Sequence, residues 1–128
     1  MSFDVDFGDL DAVARMFENS AEVMPRKVHQ AVEVNARHIK DDARKLARGI
    51  GRPAQHYYRS ITYDIHDLGS SVYAEIGPDK DRTQGPLGNL LEFGSVNNAP
   101  RPHLGPAFQQ NKGDLEDGLA KAVEESLQ

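Results

Sequence analysis

Three groups of residues have side chains that could do chemistry. Ser60, Asp64 and His66 bring a hydroxyl, a carboxylate and an imidazole into one short stretch. A hydrolytic triad needs such groups to converge on one point beside an oxyanion donor. At even positions of one strand they project side by side, so the spacing reads as the polar face of a sheet. Asp79, Asp81 and Thr83 match the first ligands of a calcium loop. Gln84 stands where that loop needs glycine, and Leu90 where it needs glutamate, so a solvated loop is the better account. The histidines are 29, 38, 56, 66 and 103, and no pair has the spacing of a metal site. His38 and Asp42 read as a surface hydrogen-bonded pair. There is no cysteine and no phosphate-binding glycine loop. The expectation is a protein without a catalytic group, metal, cofactor or small-molecule substrate.

A fourth group is basic. Arg37, Lys40, Arg44 and Arg48 recur at spacings of three, four and four, which puts them on one helix face, with Lys45 and Arg52 nearby. Such a stripe could contact phosphates. Glu33–Arg37 and Asp41–Lys45 are also i, i+4 pairs, so a solvated or protein-facing stripe is favoured over a DNA-facing one. Residues 1–24 carry six acids and one base, and residues 25–66 carry nine bases and four acids. The whole chain is net −5, which argues against a dedicated nucleic-acid binder. The opposed charges of these two segments suit a head-to-tail contact between copies, or neutralisation within one chain, since the two helices are joined by a tight break at Pro25.

The elements that must position these groups follow from period. Phe3, Val5 and Phe7 alternate with polar residues and predict a short strand. From Leu10 an apolar or small residue returns through Val13, Phe17, Ala21, Met24, Val28, Ala31, Asn35, Ile39, Ala43, Leu46 and Ile50, with Asn35 the polar exception. That is a helical period, broken at Pro25. It predicts one helix over 9–23 and a second over 25–48, stopped by Gly49, Gly51 and Pro53. Tyr57, Ile61, Tyr63 and Ile65 predict one face of a strand, with Ser60, Thr62, Asp64 and His66 on the other. Val72, Ala74 and Ile76 complete a hairpin across a turn at 68–71. Residues 79–88 predict an exposed, mobile loop, and 89–93 one helical turn stopped by Gly94. Leu104, Phe108, Leu115, Leu119, Val123 and Leu127 share one face of a final helix, which Gly113 and Gly118 weaken. The reading is one α+β domain over 1–128: a long bent N-terminal helical element, a small antiparallel sheet and a C-terminal helix. At 128 residues it is long enough for a core without staples. No apolar run reaches the length of a membrane span, and the acidic N-terminus lacks a signal-peptide pattern, so no membrane contact and a cytoplasmic origin are expected.

The segment Gly85–Phe108 holds four of the seven prolines, yet Leu87, Leu90, Leu91, Phe93, Leu104 and Phe108 are spread through it. Special backbone angles and apolar side chains together indicate a packed connection rather than a tether. Pro100 and Pro102 flank Arg101 and stiffen it as an arm. Leu-Glu-Phe-Gly-Ser, a short gap, then Ala-Pro-Arg-Pro-His-Leu-Gly-Pro-Ala and a helix resembles the small tail-completion (neck, or minor tail) proteins of long-tailed bacteriophages and prophages. His103 stands where that family usually has an aromatic residue, and Gly105 where arginine is common. The element order over nearly the whole chain is also similar.

The resemblance implies a non-enzymatic structural protein of the virion that helps join head to tail. Its partners would be other copies of itself, as a ring or part of one, and other neck and tail proteins. It would be made in the host bacterial cytoplasm and end in the virion. The contact residues it suggests are Arg101, Pro100, Pro102, His103, Phe93 and Gly94. The alternative is a small DNA-contacting module that uses Arg37, Lys40, Arg44 and Arg48.

Overall fold

The computed structural model describes residues 2–6, 23–69 and 71–127. Strand β1 (Ser2–Asp6) is followed by helix α1 (Val23–Arg48), strands β2 (Ile61–Asp67) and β3 (Ser71–Pro78), and helices α2 (Gly88–Phe93) and α3 (Leu104–Ser126). Short 3-10 turns at Tyr57–Ser60 and Gly85–Leu87 lead into β2 and α2. The fold is α+β, as the periodicities predict. The helix expected over 9–23 lies outside the described residues except for Val23, as does Phe7, so the expected bend does too.

Helix α1 is the central layer. At 26 residues it is about 39 Å long. The sheet packs on one side of it and α3 on the other. Pro25 sits in its first turn, where a missing N–H has no intrahelical partner to lose. Met24, Val28, Val32, Ala36, Ile39, Ala43 and Ala47 are buried. Two expected core positions differ. Leu46 is 41% exposed and Ala31 is half-buried against Gly118, while Val32, Ala36 and Ala47 are inside. A helix covered from both sides buries a wider band than one stripe, and the residues beside the expected track fall within it.

The sheet has the order β1-β3-β2, with both pairs antiparallel. Tyr63 pairs with Ile76 and Ile65 with Ala74, which gathers the apolar positions on the α1 side. Thr62, Asp64 and His66 fall opposite Gly77, Glu75 and Tyr73 on the other face. The start of β2 differs from the expected strand, because Tyr57 and Ser60 lie in the tight turn before it, and both are buried. The Ser60 Oγ donates to Tyr57 O at 2.7 Å and holds that turn closed. Asp67 Oδ1 accepts from Gly69 N at 2.9 Å and closes the hairpin turn.

The stretch 79–88 is only half the loop expected. Residues 80–83 are exposed, but Gly85 and Gly88 are buried in the turn and helix that follow. Gln84 binds the loop back to the 53–56 segment: its Nε2 donates to Pro53 O at 2.7 Å, and its Oε1 accepts from His56 N at 3.0 Å. A Cβ on Gly88 would run into Pro78, so α2 starts in close contact with the end of β3.

Helix α3 runs antiparallel to α1, with Asn111 beside Asn35 and Glu125 beside Lys27. It closes the core with Leu104, Ala107 and Ala122. Phe108, Leu115, Leu119 and Val123 are partly buried beside them, and Leu127 is 37% exposed. Between the two helices sits a polar contact that periodicity does not foretell. Asn35 Nδ2 donates to Asn111 O at 3.0 Å, and Asn111 Nδ2 donates to Asp42 Oδ2 and Ala107 O at 2.8 Å. Asp42 is therefore tied to α3 rather than reserved for His38. Buried amides need such partners, so this set fixes the register of α3 on α1.

Candidate functional site

The segment from α2 to α3 folds as a clasp. Helix α2 ends at Phe93, and Gly94 turns the chain with φ of 75°. A Cβ there would lie 2.7 Å from both Asn98 O and Pro100 N, so both angle and space demand glycine. Ser95 and Asn98 then close a tight turn through Ser95 N to Asn98 O at 2.8 Å and Asn98 N to Ser95 O at 3.2 Å. Asn98 Nδ2 adds a bond to Ser95 Oγ at 3.0 Å. The chain returns to α2 where Arg101 N donates to Leu91 O at 2.7 Å.

Glu92 is the centre of this clasp. It is buried, at 8% exposure. Its Oε1 accepts from His103 N at 3.1 Å and Leu104 N at 2.8 Å, and its Oε2 from Gly105 N at 3.2 Å. The next residue, Pro106, has no N–H, and Ala107 N already bonds to His103 O at 3.2 Å. Every orphan donor at the start of α3 is thus accounted for. The carboxylate also meets the positive end of the helix dipole.

His103 joins the clasp to the core. Its ring is 1% exposed. Nδ1 lies 3.0 Å from Arg101 O, which can only accept, so Nδ1 carries a hydrogen. Nδ1 is also 3.3 Å from Glu92 Oε1. Nε2 shares a hydrogen bond with the Tyr57 hydroxyl at 2.8 Å, with the two rings edge to face. Burial holds the Tyr57 phenol well above its usual range, and the nearby Glu92 charge pushes the same way.

The suggested contact residues separate into two sets. His103 is buried inside the clasp with its ring taken up by folding contacts, and Gly94, half-buried, has no side chain to offer. Phe93 is 75% exposed, and Pro100, Arg101 and Pro102 are also on the surface. Arg101 is not wholly free, since its Nη1 donates to Ile50 O at 2.8 Å. Val96, which sequence reasoning passes over, is fully exposed at the tip of the turn. A small apolar cavity of about 140 Å³ lies beneath, lined by Ile50, Pro53, Leu90, Leu91 and Ala99 among others.

The expected basic stripe is mostly engaged with its own chain. Arg44 Nε donates to Ile61 O at 2.8 Å, Lys40 Nζ sits 5.7 Å from the Tyr63 ring and 3.2 Å from Asp41, and Arg48 lies over Tyr58. Arg37 is exposed. Ser60, Asp64 and His66 are not brought together: Ser60 is buried, Asp64 is exposed, and His66 stacks on Tyr73 with centroids 4.6 Å apart. Asp79 Oδ1 accepts from Asp81 N at 2.9 Å and its Oδ2 faces Arg82 at 3.5 Å, so its oxygens serve the loop. Among the described residues no group of three or more acidic or histidine side chains could hold a metal ion. No helix among them is long and apolar enough to cross a membrane.

No family model, no curated protein and no solved structure matches this chain.

Proposed function

We propose that this chain is a structural subunit of the phage head–tail connection, a tail-completion or neck component that acts by forming interfaces with copies of itself and with neighbouring tail proteins. It does no chemistry of its own. The observation that supports this reading is the exposure of Phe93 at the end of α2 and of Val96 in the turn that Ser95 and Asn98 close. Large apolar side chains on a fixed platform are what an interface core needs. They lie in the segment that carries the resemblance. The clasp beneath them explains several of its residues as folding devices: Glu92 as a cap, Gly94 as a turn and Pro106 as the helix start. Assembly would take place in the host bacterial cytoplasm, with the product carried in the virion.

The test is incorporation. Tagged wild-type protein should band with assembled particles in a density gradient. Phe93→Ser and Val96→Asp should fold and yet be left in the unassembled fraction. Wild-type protein that never bands with particles would end this reading. Genes for portal, capsid and tail proteins beside its own gene would support it.

A further inference from the structure

We propose that the end of α1 and the turn before β2 form a binding surface for a nucleic-acid phosphate backbone, centred on Arg48 and Arg59, with Lys45 three residues before Arg48 and Arg52 four residues after it. This goes beyond the assembly reading and does not depend on it. Of the α1 stripe it keeps only Arg48, at the helix end, because Lys40 and Arg44 are turned to β2.

The first observation is convergence of like charge. The Arg48 guanidinium sits 4.8 Å from the centre of the Tyr58 ring and that of Arg59 sits 5.6 Å from it. Arg59 Nε also donates to the Tyr58 hydroxyl at 3.3 Å. Two guanidiniums on one ring repel each other, and the ring's quadrupole offsets only part of this. The second observation is the missing counter-charge. From residue 43 to residue 63 there are five bases and no acid. Among the described residues no carboxylate is within ion-pair reach of Lys45, Arg48, Arg52 or Arg59, although acids pair with Lys27, Lys40, Arg82 and Lys121 elsewhere. The positive field reaches Tyr58 itself. The hydrogen bond from Arg59 holds its phenol below the usual range, and the charges of Arg59 and Arg48 add to this.

Planar guanidiniums match phosphate oxygens in pairs and are weakly hydrated, so this geometry suits phosphates better than single ammonium groups would. Two guanidiniums about one ring, with Lys45 and Arg52 close to Arg48 in the chain, favour an extended polyanion over one free phosphate. The contact would be to backbone only and so independent of base sequence. Because the whole chain is net −5, any binding must come from this local cluster.

The experiment is fluorescence anisotropy of a labelled mixed-sequence duplex and of the matching single strand, over a range of salt. Wild-type protein should bind at low salt and weaken steeply as salt rises. For duplex, each phosphate that is no longer neutralised lowers the slope of log affinity against log salt by about 0.9, so Arg48→Gln/Arg59→Gln should lower it by about 1.8. Arg52→Gln, which gives up only a bond to Gln55 at 3.2 Å, should lower it by about 0.9 without disturbing the fold. Arg37→Gln/Lys112→Gln removes the same charge elsewhere and should change little. Comparable binding of the two strand forms, or preference for either, supports backbone recognition. Absence of binding at low salt overturns the proposal. So does an equal loss in the Arg37→Gln/Lys112→Gln control, or polyglutamate competing as well as DNA, which would mark a surface for an acidic protein.

Discussion

Glu92 and Leu104, twelve residues apart in the chain, are joined by a 2.8 Å bond from the Leu104 N–H to the Glu92 carboxylate. A helix is thus capped by a side chain from the previous helix rather than by its own N-cap residue. Glu92→Ala leaves three backbone donors without their acceptor and should cost about 3 kcal/mol or more, at about 1–3 kcal/mol per unsatisfied group. Glu92→Gln keeps one acceptor oxygen and should cost less. Denaturant midpoints measure both. A loss under about 1 kcal/mol for Glu92→Ala would mean that water serves these donors equally well.

Tyr57→Phe removes the partner of His103 Nε2 and should cost about 1–3 kcal/mol. The phenol also sets an alkaline limit. Its folded pKa lies above the ordinary phenol value, so its contribution to stability is complete below pH about 10 and is lost as pH rises beyond that. Tyr58, shifted the other way, should ionise before it. A phenolate absorbance titration should show one late tyrosine that ionises only as the protein unfolds, and Tyr57→Phe should abolish that late step. A late step that survives the substitution would assign it to another residue.

Two glycines should respond oppositely to alanine. Gly94 has φ of 75° and no room for a Cβ, so Gly94→Ala should cost about 1–3 kcal/mol and disturb the turn that follows. Gly113 lies inside α3 with nothing within 4 Å of a Cβ placed there. Gly113→Ala should raise stability by about 1 kcal/mol through helix propensity alone. Thermal melts of the pair decide this, and a destabilised Gly113→Ala would mean that the position meets something not evident from its surroundings.

Surface changes on the arm should separate folding from assembly. Phe93→Ser and Val96→Asp should shift stability by no more than about 0.5 kcal/mol. Arg101→Ala removes the bond to Ile50 O and should cost about 0.5–1.5 kcal/mol, which is small for a residue placed among the contact candidates. All three should still melt cooperatively. A large loss of stability at Phe93 or Val96 would make them packing residues and remove the support for the assembly reading.

The long helices and the hairpin are legible in the sequence because their cause is local. Val28, Ile39 and Ala43 repeat at the helical period, and Tyr63 and Ile65 alternate with Asp64 and His66. Gly94 and Pro106 likewise announce a turn and a helix start. Glu92 is not legible, because its partners lie eleven to thirteen residues away and no local capping pattern includes it. Asn111 and Asn35 are hidden for the same reason: each is a polar residue at a buried position whose partner comes from a helix far along the chain. Tyr57 misleads because its odd position fits the alternation of β2, while burial against His103 draws it into a turn. The basic residues of α1 show the converse. Period places them on one face, and only the packing of Ile61, Tyr63 and Tyr58 shows what each one holds.

The bonded turn at Ser95–Asn98 has a kinetic consequence. Ser95 and Asn98 already exchange both backbone bonds across it, so a partner that takes Phe93 and Val96 meets a turn that is closed beforehand. No loop has to be ordered on contact, and that entropic cost is absent from the association step. Encounter should then proceed at a rate set by diffusion and orientation. Substitutions at Phe93 or Val96 should act mainly on how long the complex lasts once formed.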